Sequence, residues 1–132
     1  MIDENFHAGP RKFFEAVPAP LRPLVHAMVR RQVRRNLKGQ GIGRHSDDDI
    51  CRLAVRDLAA LADFLGDKPY LMGEAPCGAD ATVFGFIAGT LAPCFKTPIR
   101  VAAELQPNLV AYRDRLMARY YSELAAATQQ AA

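Results

Sequence analysis

The chain has 132 residues, of which half are apolar and 23% are charged, and its formal net charge is +3. This length suits one domain rather than two, and it is enough to bury a core without metals or disulfide bonds. The net charge is too small to assign a class of partner. No window of about 18 apolar residues is present, so we expect no membrane span, and no signal peptide pattern is recognised.

The cysteines predict a reducing compartment. Cys51, Cys77 and Cys94 are odd in number and fit no zinc or redox spacing. We expect them to be reduced thiols that pack as small apolar side chains, which places the protein in the cytoplasm. No metal site is expected either, since His45 and the aspartates after it would point in different directions on a helix.

Two helices are predicted in the first third of the chain. A short one covers 10–17, and a longer one covers 21–38 with Pro23 confined to its first turn. The glycine-rich segment 39–43 ends the longer helix. The apolar residues of the longer helix recur at three- and four-residue steps, as an amphipathic helix requires. They are Leu24, Val25, Met28, Val29, Val33 and Leu37.

The next helix has a well-defined start. Ser46 is a suitable N-cap, and Asp49 at the third helical position makes an aspartate version of the capping box. The neighbouring aspartates also lie in the first turn, where the helix dipole favours negative charge. Gly66 is the expected C-cap. The predicted buried stripe is Ile50, Leu53, Ala54, Leu58, Leu61 and Leu65.

A further helix is predicted over 78–90. Cys77 stands at its cap position, although a thiol is a poor acceptor, and Asp80 is placed to reach back to the cap residue's N–H. We interpret both as structural capping residues. The alternative is a reactive Cys77 thiol, which the charge of Asp80 would oppose. This helix is apolar almost all round, so we expect it to be the most buried one.

The remaining chain predicts a short helix and a final long one. Thr97 caps the short helix, which Pro98 starts, and Pro107 opens the last helix. We expect the tail 125–132 to fray. With no β pattern, the fold class is all-α, with five to six helices. The stripe of the last helix is Leu109, Tyr112, Leu116, Tyr120 and Leu124.

A cationic patch is the remaining candidate site. It could be a solvated helix face, or a surface that meets an anion or an acidic partner. Binding to a phosphate backbone is a lesser alternative, because no aromatic residues are interleaved for base stacking. The patch consists of Arg30, Arg31, Arg34, Arg35 and Arg44.

Two stretches resemble a known family. Residues 68–84, KPYLMGEAPCGADATVF, are similar to the "yL-x-G-x-x-P-[ST]-x-A-D" run of the glutathione S-transferase C-terminal domain, with Cys77 in place of Ser or Thr. Residues 107–115, PNLVAYRDR, resemble that family's "P-n-l-x-x-y-x-x-r" helix. Segments 39–46 and 79–84 look like the metaxin and failed axon connections branch. The matching residues of the first run are Tyr70, Leu71, Gly73, Pro76, Ala79 and Asp80.

The resemblance implies a glutathione-transferase C-terminal-like helical bundle over 1–132. In that family a thioredoxin-like N-terminal domain holds glutathione and supplies the catalytic Tyr, Ser or Cys. We therefore expect a fragment of a longer parent that lacks this domain and begins after the first helix of the helical domain. The helical domain forms one wall of the pocket for the electrophilic second substrate. No catalytic residue carries over, and cofactor-binding residues are not identified. We expect this chain alone to bind no cofactor, and glutathione to be bound only in the parent.

Three functions remain open at this point. The parent conjugates glutathione to an electrophile or has lost that activity, and the chain alone is inactive. A non-enzymatic adaptor of metaxin type is the second hypothesis, and a nucleic-acid-binding module led by the basic helix is the third. The expected partners are the missing thioredoxin-like domain and a second copy of the chain, because an orphan domain exposes an apolar face.

Overall fold

The computed structural model describes residues 5, 13, 14 and 16–123. Half of the predicted helix 10–17, namely residues 10–12 and 15, lies outside these described residues, together with Leu124 and the tail 125–132. Within them the all-α prediction is confirmed, since no strand is present and Tyr70 and Gly73 form only an isolated β-bridge. The described α-helices are α1 (Arg22–Gln40), α2 (Asp47–Leu65), α3 (Gly78–Thr90), α4 (Pro98–Glu104) and α5 (Pro107–Tyr120).

The chain divides into two compact units. The first is Met1–Leu53 with Pro93–Lys96, and the second is Ala54–Ala92 with Thr97–Ala132. Helix α2 contributes residues to both. No described helix is at once long and apolar enough to cross a bilayer.

The first unit is built on α1, which packs against the short 3-10 turn Ile42–Arg44. The helix continues two residues beyond its predicted end, because Gly41 rather than Gly39 takes the positive φ of 112° that stops it. Gly43 then approaches α1 closely. A Cβ there would lie 2.7 Å from the backbone of Leu37, so only glycine fits. Of the described residues of this unit, none reaches full burial.

The second unit holds the core. Leu65 of α2, Ile87 of α3 and Leu109 of α5 are each at most 1% exposed. The predicted stripes of α2 and α5 supply five of its eleven residues, although Tyr120 at the end of α5 is 58% exposed. The full set is Leu58, Ala62, Leu65, Tyr70, Leu71, Ile87, Leu91, Ala103, Leu109, Tyr112 and Leu116.

The prediction that α3 is the most buried helix was wrong. Only Asp80 and Ile87 are buried on it, whereas α5 buries three residues. Helices α4 and α5 cover one side of α3, and the other side is open, with Phe86 73% exposed. Much of the helix's apolar character comes from glycine and alanine, which have little side-chain surface to bury. Composition therefore overstated how much of this helix must be covered.

Leu109 offers a direct test of the core. We expect Leu109→Ala to destabilise the second unit by about 2–5 kcal/mol, because it leaves a cavity in a fully buried position. The matched control is Leu105→Ala, four residues earlier and 74% exposed, with an expected change within about 0.5 kcal/mol. Urea denaturation followed by helical circular dichroism measures both. Equal midpoints for the two variants would contradict this assignment of the core.

Candidate functional site at the start of helix α3

A buried carboxylate organises the start of α3. Asp80 is 1% exposed, and its Oδ2 accepts a hydrogen bond from the backbone N–H of Cys77 at 2.8 Å. Its Oδ1 accepts two more, from the N–H of Leu71 at 3.0 Å and from the Tyr112 hydroxyl at 2.9 Å. Asp80 therefore joins three parts of the second unit: the loop before α3, the start of α3, and α5.

These contacts keep Asp80 ionised. Burial by itself would raise the pKa of this carboxyl group, since it disfavours the charged form. The hydrogen bonds from Leu71, Cys77 and Tyr112 outweigh burial, and the pKa of Asp80 is lowered from the ordinary value of 3.8. In return, burial and the hydrogen bond to the Asp80 carboxylate raise the pKa of Tyr112, which stays a neutral donor.

The second family-like stretch, 107–115, holds the same region from the other side. The Asn108 amide donates to the carbonyls of Ala62 at 2.8 Å and Gly66 at 3.2 Å, at the C-terminal end of α2. Arg115 donates to the carbonyl of Pro69 at 2.7 Å. Each polar position of this pattern thus has a structural contact within the second unit.

A cleft opens beside the carboxylate. Its volume is about 350 Å³, within the range of roughly 300–1,000 Å³ that is usual for small-molecule sites. The rings of Phe84 and Tyr121 stack at 5.5 Å with an interplanar angle of 14° and form an aromatic wall. The full lining, all from the second unit, is Pro76, Cys77, Asp80, Ala81, Phe84, Leu116, Tyr120 and Tyr121.

The cleft can bind an apolar molecule but offers little for acid–base chemistry. Among the described residues that line it, Asp80 is the only carboxylate, and both of its oxygens already accept hydrogen bonds. Cys77 supplies a thiol, and Tyr120 and Tyr121 supply hydroxyl groups. Among the described residues, no cluster of three or more His, Cys, Asp or Glu side chains is arranged to hold a metal ion.

The other predicted capping pair lies at the start of α2. The Ser46 hydroxyl oxygen accepts from the N–H of Asp49 at 3.1 Å and donates to Asp49 Oδ2 at 2.7 Å. Arg52 also bonds to this carboxylate. The hydrogen bonds from Ser46 and then from Arg52 lower the pKa of Asp49. Ser46 and Asp49 therefore do not contribute to the cleft lining.

The structure divides the predicted cationic patch. Arg31, Arg34 and Arg35 are exposed along α1, whereas Arg30 is half-buried. Arg44 lies in the 3-10 turn after α1, where its Nε donates to the carbonyl of Lys38. The five arginines thus form no single pocket, and three of them share an outward direction.

Sequence reasoning missed the cleft and two of the three donors to Asp80, Leu71 and Tyr112, although it predicted the third, the N–H of Cys77. Tyr112 was predicted only as an apolar stripe residue, yet its hydroxyl group is the donor to a carboxylate 32 residues earlier. No local pattern reports such a pair. The aromatic residues at 112, 120 and 121 near the end of α5 were the available signal, since buried tyrosines usually find a polar partner.

The low pKa of Asp80 predicts an acid-sensitive core. A carboxyl group whose pKa is lower when folded stabilises the fold above its unfolded pKa, near 3.8, and loses that contribution as the pH falls through the folded pKa. We expect urea midpoints to fall as the pH is lowered from about 5 into this range. Asp80→Asn should be less stable at pH 7 and show a flatter acid limb, whereas Asp49→Asn should retain most of the fall. An unchanged acid limb in Asp80→Asn would contradict the prediction.

Comparison with known proteins assigns a family to the segment that the hydrogen bonds of Asp80 hold together. Residues 54–116 match the family described as "Glutathione S-transferase, C-terminal domain", and this segment includes both Asp80 and Tyr112. The resemblance drawn from 68–84 and 107–115 is thereby confirmed. No solved structure gives a significant match to the chain.

The similar curated proteins are all much longer. The isoprene-epoxide–glutathione S-transferase of Rhodococcus sp. (strain AD45) is 33% identical over 86 residues, covering 62% of this chain and 34% of that protein. Failed axon connections of Drosophila melanogaster is 31% identical over 85 residues, covering 62% and 20%. Metaxin-2 of Homo sapiens is 25% identical over 124 residues, covering 92% and 46%. The chain spans less than half of each of these relatives.

The family match of residues 54–116, the capping carboxylate within that segment and its pattern of helices support the same family assignment. In residues 54–116 the chain carries a C-terminal domain of the glutathione S-transferase family, of the type that it shares with failed axon connections and the metaxins.

Proposed function

We propose that this chain is the helical part of a glutathione-transferase-like protein and that its cleft receives an apolar electrophile. The observation that carries this proposal is the cleft of about 350 Å³ beside Asp80, with its wall of stacked Phe84 and Tyr121 rings. Apolar clefts with a few polar groups at the edge are the usual form of small-molecule sites. The isoprene-epoxide enzyme among the relatives is named for such a substrate, a small neutral epoxide.

The lining supports binding rather than activation of a nucleophile. The single carboxylate is fully occupied by hydrogen bonds, so a neutral ligand meets no uncompensated charge. In the proposed reaction the glutathione sulfur forms a bond to an electrophilic carbon, while the carbon–oxygen bond of an epoxide, or a bond to a leaving group, breaks. The group that lowers the thiol pKa belongs to a thioredoxin-like domain of the parent, outside this chain.

The remaining parts of the proposal follow because the electrophile and glutathione are bound by different domains of the parent. Glutathione is bound by the parent and not by this chain alone, so the isolated chain is inactive. The described cysteines form no disulfide, which supports a reducing, cytoplasmic location.

A substitution that fills the cleft tests this proposal. Ala81 lines the cleft and Thr82 does not, although both are exposed positions on α3. We expect the wild-type chain to bind the neutral fluorophore N-phenyl-1-naphthylamine and Ala81→Phe to weaken binding at least about tenfold, a change of 1.4 kcal/mol. Thr82→Phe should bind like the wild type. Fluorescence titration gives the dissociation constants.

The parent protein provides the second readout. There Ala81→Phe should raise KM for the electrophile and leave KM for glutathione unchanged, because only the second-substrate wall is altered. Equal binding of the fluorophore by both phenylalanine variants would place the site elsewhere. Catalysis of glutathione addition by the isolated chain would also contradict the proposal.

A second function, a non-enzymatic adaptor, is favoured by exposed apolar side chains of the second unit. Phe86 on α3 and Leu105 after α4 are 73% and 74% exposed. Metaxins and failed axon connections also occur among the relatives. Such side chains would contact a partner helix rather than a small molecule.

Variants separate the two functions. If the adaptor function holds, Phe86→Ser with Leu105→Ser abolishes self-association of the chain in sedimentation-velocity runs, while Ala81→Phe leaves it intact. The reason is that the apolar contact area, not the cleft, drives association. A chain that is monomeric at all concentrations tested would remove the support for this second function.

A further inference from the structure

The outward side of α1 forms a continuous stripe that the proposed function does not use. Leu24, Met28, Arg31 and Arg35 follow each other at steps of four, three and four residues, which keeps them on one face of the helix. Arg34 and Lys38 extend the same face. All six are exposed, Leu24 by 61% and Met28 by 63%. The stripe runs for about 21 Å at 1.5 Å per residue.

The opposite side of α1 is the one that packs, so the apolar residues that the sequence predicts on one face are divided between two sides of the helix. Val25, His26 and Val33 are half-buried there, and the rings of Phe14 and His26 meet edge to face at 4.9 Å. The stripe is therefore not a core face that happens to lie open. It is the second, outward face of a helix whose inward face already has its contacts.

The charge of the stripe is unbalanced. Arg22–Gln40 contains no acidic residue, and none of the ion pairs between described residues involves the arginines of the stripe. Arg31 and Arg35 stand four residues apart, as do Arg34 and Lys38, so like charges repel across successive turns. An anionic surface would relieve that repulsion, which makes such a surface the complementary partner.

The apolar half of the stripe decides which anionic partner fits. Leu24 and Met28 occupy the same face as the cations, one helical turn before Arg31. A phosphate backbone gives apolar side chains no favourable contact, and the stripe has no aromatic residue for base stacking. A bilayer with acidic headgroups offers phosphates for the cations and an acyl boundary for the apolar pair.

We propose that the stripe on α1 is a docking surface for an anionic lipid bilayer. The N-terminal half of the stripe enters the headgroup boundary through Leu24 and Met28, and its C-terminal half holds headgroup phosphates through Arg31, Arg34, Arg35 and Lys38. Such binding is peripheral and reversible, and it weakens with salt, because much of it is electrostatic.

Vesicle co-sedimentation of the full chain tests the proposal. We expect binding to vesicles of phosphatidylcholine with about one-third phosphatidylserine and none to phosphatidylcholine alone, because the polybasic half needs anionic headgroups. Arg31→Gln with Arg35→Gln should weaken binding about 25-fold, roughly fivefold for each cation. The matched control is Arg52→Gln with Arg56→Gln, which removes the same charge from exposed positions on α2.

A second pair of variants separates lipid from other polyanions. Leu24→Gln with Met28→Gln should weaken binding to the anionic vesicles and leave any binding to a single-stranded oligonucleotide unchanged. Circular dichroism confirms that each variant keeps its helix content. No binding to the anionic vesicles at low salt would overturn the proposal. So would an equal loss in the α2 control, or binding that ignores Leu24 and Met28 and extends to the oligonucleotide or to an acidic peptide.

Discussion

The second unit depends on the buried carboxylate of Asp80. A charge in this position is tolerated only because Leu71, Cys77 and Tyr112 each direct a donor at it. Of the described backbone and hydroxyl donors, Oδ1 has two and Oδ2 has only the Cys77 N–H, so loss of that bond would leave a buried acceptor without a partner, which costs more than a typical hydrogen bond contributes. The carboxylate also lies in the first turn of α3, where the helix dipole favours it. One side chain thus fixes the loop before α3, the start of α3 and its contact with α5.

The family pattern is a description of this network. In the first stretch, Leu71 provides a donor, Gly73 provides the positive φ of 120° that turns the loop, and Asp80 provides the acceptor. In the second stretch, Asn108 donates a hydrogen bond to the C-terminal end of α2, Tyr112 donates one to Asp80, and Arg115 donates one to the Pro69 carbonyl. These residues hold helices together. This explains why the same domain occurs in an enzyme and in proteins of other names, since the pattern specifies the scaffold and leaves the cleft free to vary.

Local features could be predicted from the sequence, and long-range ones could not. The starts of α2, α3 and α4 follow from Ser46, Cys77 and Thr97 because capping acts over three residues. The extent of α1 was misjudged by two residues, since which glycine adopts positive φ depends on the close packing of Gly43. The burial of α3 was misjudged because neighbours, not composition, decide coverage. The cleft could not be predicted, because its lining comes from two segments, 76–84 and 116–121, whose first residues are 40 positions apart.

The hydrogen bonds of Asp80 also set the shape of the cleft, since Asp80 and Cys77 line it while they hold α3 in place. The hydrogen bonds of Asp80 are therefore the central claim, and native-state amide exchange tests the one from the Leu71 N–H directly. If they persist in solution, the Leu71 amide exchanges as slowly as the buried helical amide of Ile87, although it lies in a loop. If the Leu71 amide exchanges as fast as that of Met72, whose side chain is 72% exposed, the carboxylate does not hold the loop and the account is contradicted.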